Sequence, residues 1–238
     1  MRRGMHTRRS VIITGAARRI GRAMAIFMAA KHGFDIVAHY NTSRADALSL
    51  QSIIQNKYGR KCVLFEADLC DFSSIAKLIS SSFSAVQNCN VLINNASLFY
   101  ENTLENCTES DFARDYNIHV RAPIFLTKYF ASRCAPGGKI VNVIDSNITR
   151  NSTKYFTYLL SKKSLADFTE LAASELALSS IHINAICPTK VYDGDMEHLE
   201  SLDDVTKSAR LCNFLEIIED LISPSCTKNG EILHCTNA

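Results

Sequence analysis

Short runs of β-branched apolar residues recur along the chain. Each is followed by a longer stretch in which apolar residues fall at spacings of three and four. The runs predict strands at Ser10–Thr14, Asp35–His39, Lys61–Phe65, Val91–Asn94, Lys139–Ile144, His182–Ile186 and Glu231–Cys235. Valine and isoleucine dominate several of them, the pattern of strands covered on both faces. Between them, Ile75, Leu78, Ile79 and Phe83 form one helical stripe, and Leu165, Phe168, Leu171, Ala172 and Leu176 another. Strand and helix in alternation imply right-handed crossovers and a doubly wound parallel sheet flanked by helices, an α/β fold. Tyr192 to Asp204 is polar and acidic and reads as a loop before a helix near Ser208–Ile222.

The length of 238 residues suits one domain over residues 10–238, preceded by a basic leader, residues 1–9, expected to be disordered. The longest apolar run, Ala23 to Ala30, has eight residues, against the roughly 20 needed to span a bilayer, so no membrane helix is expected. The leader has no apolar stretch of the secretory kind. The net charge of +2 conceals an asymmetry: Arg2, Arg3, Arg8 and Arg9 supply four positive charges, and the chain from Val191 onward carries ten acidic and three basic residues. Nucleic acid is therefore not an expected partner. Nine scattered cysteines without a Cys-x-x-Cys pair argue against a zinc site or disulfide framework. They fit reduced, buried thiols and a cytoplasmic location, and no metal is expected.

The first strand runs into Thr14-Gly15-Ala16-Ala17-Arg18-Arg19-Ile20-Gly21, after which a helix opens. A turn of this kind presents backbone N–H groups at a helix N-terminus to a pyrophosphate. Gly15 permits the tight turn, and Gly21 permits close packing of helix on strand. Strand two ends in His39-Tyr40-Asn41-Thr42-Ser43-Arg44 without a carboxylate. Hydroxyls, an amide, Arg44 and Arg18 suit a ribose 2′-phosphate, which a carboxylate would repel, so the expected cofactor is NADPH/NADP rather than NADH. Further on, Asp145 lies thirteen residues before Tyr158, and Lys162 four after it. Positions i and i+4 share a helix face, and a nearby ammonium is expected to lower the phenol's pKa and make Tyr158 a proton donor.

With these elements the sequence resembles the short-chain dehydrogenase/reductase family from Ser10 onward. The Thr14–Gly21 turn, Asp68-Leu69, Asn94-Asn95-Ala96, the Tyr158/Lys162 pair and Cys187-Pro188 carry the resemblance. It implies a seven-stranded Rossmann sheet, hydride transfer from a nicotinamide, and a homotetramer, with a homodimer as the alternative. It also implies that Asp68 and Leu69 meet the adenine, that Asn95, Ala96, Ser97 and Pro188 line the cofactor, and that Lys162 binds the nicotinamide ribose.

The departures from the family pattern narrow the expectation. Asp145 stands where most members carry serine, and Arg19 stands in place of a glycine. Pteridine reductases and dihydromonapterin reductases resemble this chain in both respects. They are also similar in the segment Asn94 to Tyr100, where the resemblance makes Phe99 a ring stacked on a pterin and places Ser97 and Arg19 at the pterin's edge. An aromatic face with a carboxylate at the donor edge of a flat heterocycle makes a coherent site. Asp145 could equally cap the loop that follows it, and Phe99 could be core. His119, where most members have asparagine, suits either a proton relay or a packed neutral core residue. The lid, residues 191–208, is short and suggests an open substrate side. The leading expectation is an NADPH-dependent pterin reductase, with Tyr158 as proton donor assisted by Asp145. The alternatives are a reductase of a 3-oxoacyl or other ketone and a non-catalytic NADP-binding sensor.

Overall fold

Every side chain of strand β1 (Ser10–Ile13) is buried, because helices cover both faces of the sheet at its centre. The remaining strands are β2 (Asp35–Tyr40), β3 (Cys62–Glu66), β4 (Cys89–Asn94), β5 (Lys139–Val143), β6 (His182–Cys187) and β7 (Ile232–His234). They form one sheet of seven in the order β3-β2-β1-β4-β5-β6-β7, with parallel pairing throughout. The computed structural model describes residues 8–150, 154–191, 196 and 199–235. All the expected strands are present, with ends within two residues of expectation.

Alternation along the strands divides the core. Val11 and Ile13 face helices α1 (Arg19–His32), α2 (Arg44–Tyr58) and α8 (Ala209–Ile222), while Ile12 faces α3 (Phe72–Ala85) and α5 (Ala122–Ala131). On α3 the stripe Ile75, Leu78 and Ile79 is wholly buried. On α6 (Phe156–Ala177) the expected stripe is only partly right. The inward face runs Leu165, Thr169 and Ala173, and Leu171, just over half a turn from Thr169, is 77% exposed.

Two expectations need correction, and one helical segment is irregular. The stretch ending at Asp204 is not all loop, since α7 (Leu202–Thr206) forms there with the Ser201 hydroxyl accepting from the Asp204 N–H. Most of the proposed lid before it lies outside the described residues. The chain from α4 (Glu109–Tyr116) into α5 passes through a π-helical turn, Asn117–Arg121, which carries His119. Of the basic leader, residues 1–7 lie outside the described residues, but Arg9 is anchored: its guanidinium donates to the Ile222 carbonyl at 2.8 Å and lies over the Phe34 ring. Among the described residues no helix is long and apolar enough to cross a membrane.

The order of strands reverses between β1 and β4. At such a point the loops leaving the two strands separate, and a crevice opens at their carboxyl ends. The turn after β1, Asn95-Ala96 after β4, Asp145 after β5 and Pro188 after β6 all lie at that end of the sheet.

Candidate active site

The turn after β1 is stitched to the end of β4. Thr14 Oγ1 accepts from the N–H groups of Asn95 and Ala96 at 2.9 and 3.0 Å, and Asn95 Nδ2 donates to the carbonyls of Thr14 and Gly15. Gly15 takes a left-handed conformation at φ 64°, and a Cβ on Gly21 would sit 2.0 Å from the Gly15 carbonyl oxygen. Neither position can carry a side chain without moving the backbone. Arg19 is also left-handed, at φ 50°, so it bears the strain that a glycine would avoid. Helix α1 opens without a side-chain cap and without an acidic residue in its first turn. Its first N–H groups are thus suited to an anion such as a pyrophosphate.

His39 braces this turn from β2. Its Nδ1 accepts from Gly15 N–H at 3.2 Å, so the proton is on Nε2, which donates to the Ala67 carbonyl at 3.0 Å. Burial pushes its pKa down to about 4. At the outer end of β2, Tyr40 Oη donates to Glu66 Oε2 at 2.9 Å, and Arg44 donates to the same oxygen at 3.2 Å. Arg18 lies 3.7 Å from Asp46. Asn41 and Thr42 are exposed beside them and Ser43 is half-buried. Asp68 is exposed and its carboxylate accepts from Cys70 N–H, whereas the Leu69 side chain is packed in the core. Of Leu69, then, only backbone is left to meet a ligand. Ile20 and Pro188 are half-buried at the rim.

The second group of residues lies at the ends of β4, β5 and α6. Tyr158 Oη donates to Asp145 Oδ2 at 2.9 Å, and Asp145 Oδ1 accepts from Asn147 N–H at 2.7 Å. The carboxylate therefore both caps the loop and faces the phenol, one oxygen for each. Lys162 is buried and donates to the Val143 carbonyl at 2.9 Å, and burial lowers its pKa to about 8. The expected lowering of the Tyr158 pKa is not found. Burial first, and the Asp145 carboxylate second, push it well up, while the Ser97 hydroxyl works against the rise. An anionic phenolate beside a carboxylate would have two negative charges at hydrogen-bond distance, and the ammonium does not outweigh that.

His119 is packed rather than poised as a relay to Lys162. Its Nε2 accepts from Leu98 N–H at 3.2 Å, so the neutral ring carries its proton on Nδ1, which faces Ser161 Oγ at 2.9 Å. Burial, then the neighbouring Lys162 charge, holds its pKa well below the usual histidine range. Ser97 Oγ lies 2.9 Å from the same Nε2, so His119 anchors the segment carrying Ser97 and Phe99. Phe99 is 55% exposed and is not core. One face stacks on Tyr155 at 4.2 Å, and its ring meets Tyr158 at 4.7 Å and near right angles.

Several site residues escaped the sequence reading. Tyr155 precedes Tyr158 by one helical turn and holds a left-handed φ of 61°, but its contact with Phe99 spans 56 residues of chain. Glu66 reaches Tyr40 only because β3 pairs with β2 in that register. Arg22 is buried and joins the Leu199 carbonyl, the Asp46 carbonyl and the Ser49 hydroxyl at 2.6, 3.0 and 3.0 Å. It thereby ties α1 to α2 and to the chain ahead of α7.

Residues 9–204 match the family model described as short chain dehydrogenase. A short-chain type dehydrogenase/reductase of Picea abies is 29% identical over 192 residues, covering 77% of this chain and 70% of that protein. Pteridine reductase 1 of Leishmania tarentolae is 28% identical over 216 residues, covering 74% of each. Among solved structures, FolM alternative dihydrofolate reductase 1 from Brucella suis, in complex with NADP, superimposes with a TM-score of 0.82 at 26% identity, over 95% of this chain and 93% of that one.

Proposed function

The chain belongs to the short-chain dehydrogenase family, and on that premise we propose that it is an NADPH-dependent reductase of a pterin. The observation that carries this reading is the Tyr158–Asp145 hydrogen bond of 2.9 Å beside the exposed Phe99 ring. A carboxylate suits the amino-pyrimidine edge and ring nitrogens of a pterin, where a ketone would need only a neutral hydroxyl. Phe99, backed by Tyr155, offers the heterocycle a flat apolar surface.

The residues fit a dinucleotide. Gly15, Gly21 and the uncapped start of α1, with Ile20, cradle the pyrophosphate, and Arg18, Tyr40, Asn41, Thr42, Ser43 and Arg44 surround the adenosine ribose. Asp68 and the Leu69 backbone meet the adenine. Asn95, Ala96, Ser97 and Pro188 border the nicotinamide end, where Lys162 holds the ribose. NADPH, when bound there, supplies the hydride. Arg19 and Ser97 bind the polar edge of the substrate, and His119 keeps Ser97 and Phe99 in place.

Tyr158 donates the proton of its hydroxyl to the ring nitrogen next to the carbon that receives hydride. Because its pKa is raised, Tyr158 is a weak acid on its own. Asp145 accepts the Tyr158 hydroxyl and so fixes the phenol oxygen in place, and the phenolate left by the transfer takes a proton from water to return to the phenol. Positioning and this matched transfer supply the acceleration. The test is reductase turnover, read as loss of reduced-nicotinamide absorbance, with an oxidised pterin and with an acetoacetyl thioester. Turnover of the thioester and not the pterin would replace this reading with ketone reduction.

A further inference from the structure

Two cationic side chains flank the end of β2, and each is held by a carboxylate from another element. Arg44 shares Glu66 Oε2 with the Tyr40 hydroxyl, and Arg18 lies 3.7 Å from Asp46 in the first turn of α2. Glu66 closes β3 in direct register with Tyr40, which closes β2. The carboxyl end of strand two lacks a carboxylate of its own, but the adjacent strand places one a single strand spacing away, about 5 Å. A groove of about 540 Å³ runs along this edge, lined by Tyr40, Arg44, Gln51, Cys62 and Glu66. Glu66 is exposed, so its place is not explained by packing.

We infer that Glu66 is a specificity-determining residue of the cofactor site, opposing the 2′-phosphate and supporting a free 2′-hydroxyl. The inference rests on the reading that the ribose lies at the end of β2. A 2′-phosphate arriving there meets Arg44 already neutralised, and must draw the guanidinium and the Tyr40 hydroxyl away from Glu66 while a carboxylate stays nearby. A 2′-hydroxyl meets instead an acceptor of the kind that a strand-two carboxylate provides. The charge on Glu66 thus narrows the preference for NADPH over NADH, and both dinucleotides remain usable.

The experiment is a fluorescence titration of the whole protein with NADPH and with NADH, for the wild type and for Glu66→Gln, Glu66→Lys, Arg44→Ala and the Glu66→Gln/Arg44→Ala double variant. Position 66 is exposed, so these changes leave the core alone. Glu66→Gln is expected to raise the NADPH-to-NADH affinity ratio roughly three- to tenfold, the range for freeing an exposed cation and lifting one repulsion, with Glu66→Lys raising it further. With Arg44 replaced, the gain from Glu66→Gln should shrink by more than half. A merely structural role would shift both dinucleotides by the same factor. An unchanged ratio across the Gln and Lys variants, while Arg44→Ala still weakens NADPH, overturns the assignment of Glu66 alone. Failure of the wild type to bind either dinucleotide, or NADPH binding indifferent to Arg44, overturns it together with the cofactor reading beneath it.

Discussion

Asp145 shows how one side chain can satisfy two readings of a sequence. Its two oxygens divide between Asn147 N–H and Tyr158 Oη, so the cap and the proposed catalytic partner are the same carboxylate. Because Tyr158 is held well above its usual pKa by burial and by Asp145, it keeps its proton, and turnover with a pterin, followed as kcat against pH, should show no fall from phenol ionisation as pH rises toward about 10. In Asp145→Asn, which loses the carboxylate that accepts the Tyr158 hydroxyl, kcat should be lower by orders of magnitude. Tyr158→Phe should lose turnover to a similar extent while NADPH affinity, measured by titration, stays within about twofold, since a single neutral hydrogen bond contributes little net. At Arg19 the strain is local. Changing Arg19 to Gly relieves a left-handed φ of 50° but adds flexibility to the unfolded chain, so urea unfolding should show a net gain of up to about 1 kcal/mol.

At the level of elements, the end of β2 is the brace of the turn after β1. His39 joins Gly15 of the turn to Ala67 after β3, and it does so only as a neutral ring. Its pKa falls from 6.5 to about 4 on folding. Below pH 6.5 the unfolded chain takes up a proton that the folded chain refuses, so stability is lost as pH falls from 6.5 toward about 4 and is regained above that range. The loss attributable to His39 is about 3 kcal/mol, and it should disappear from the pH dependence of chemical unfolding in His39→Gln. The π-helical turn between α4 and α5 plays a corresponding part on the other side of the crevice. It turns His39's counterpart, His119, toward Ser97 and Leu98, and so fixes the approach of the strand-four loop that carries Phe99.

In the whole molecule, loops from β1, β2, β4, β5 and β6 converge at one end of the sheet, and α6 brings Tyr158 and Lys162 to the same place. A ligand bound across loops that are separate in the unfolded chain stabilises only the folded state. NADPH at a hundred times its dissociation constant should raise the thermal midpoint by roughly 5 to 10 °C for a chain of this size, read by calorimetry, with Gly21→Ala abolishing the shift. The strands, their parallel direction and the Tyr158/Lys162 pair were legible in the chain itself, because strand runs, their alternation with helices and the i, i+4 relation repeat with the backbone's own period. The cap role of Asp145 was legible for the same reason. The opposed directions of the Tyr158 and Lys162 shifts, the stack of Phe99 on Tyr155, the hold of His119 on Ser97 and the arrival of Glu66 beside Tyr40 were not. Each depends on burial or on contact between residues far apart in the chain, and desolvation and distance take their values only once the sheet has closed around them.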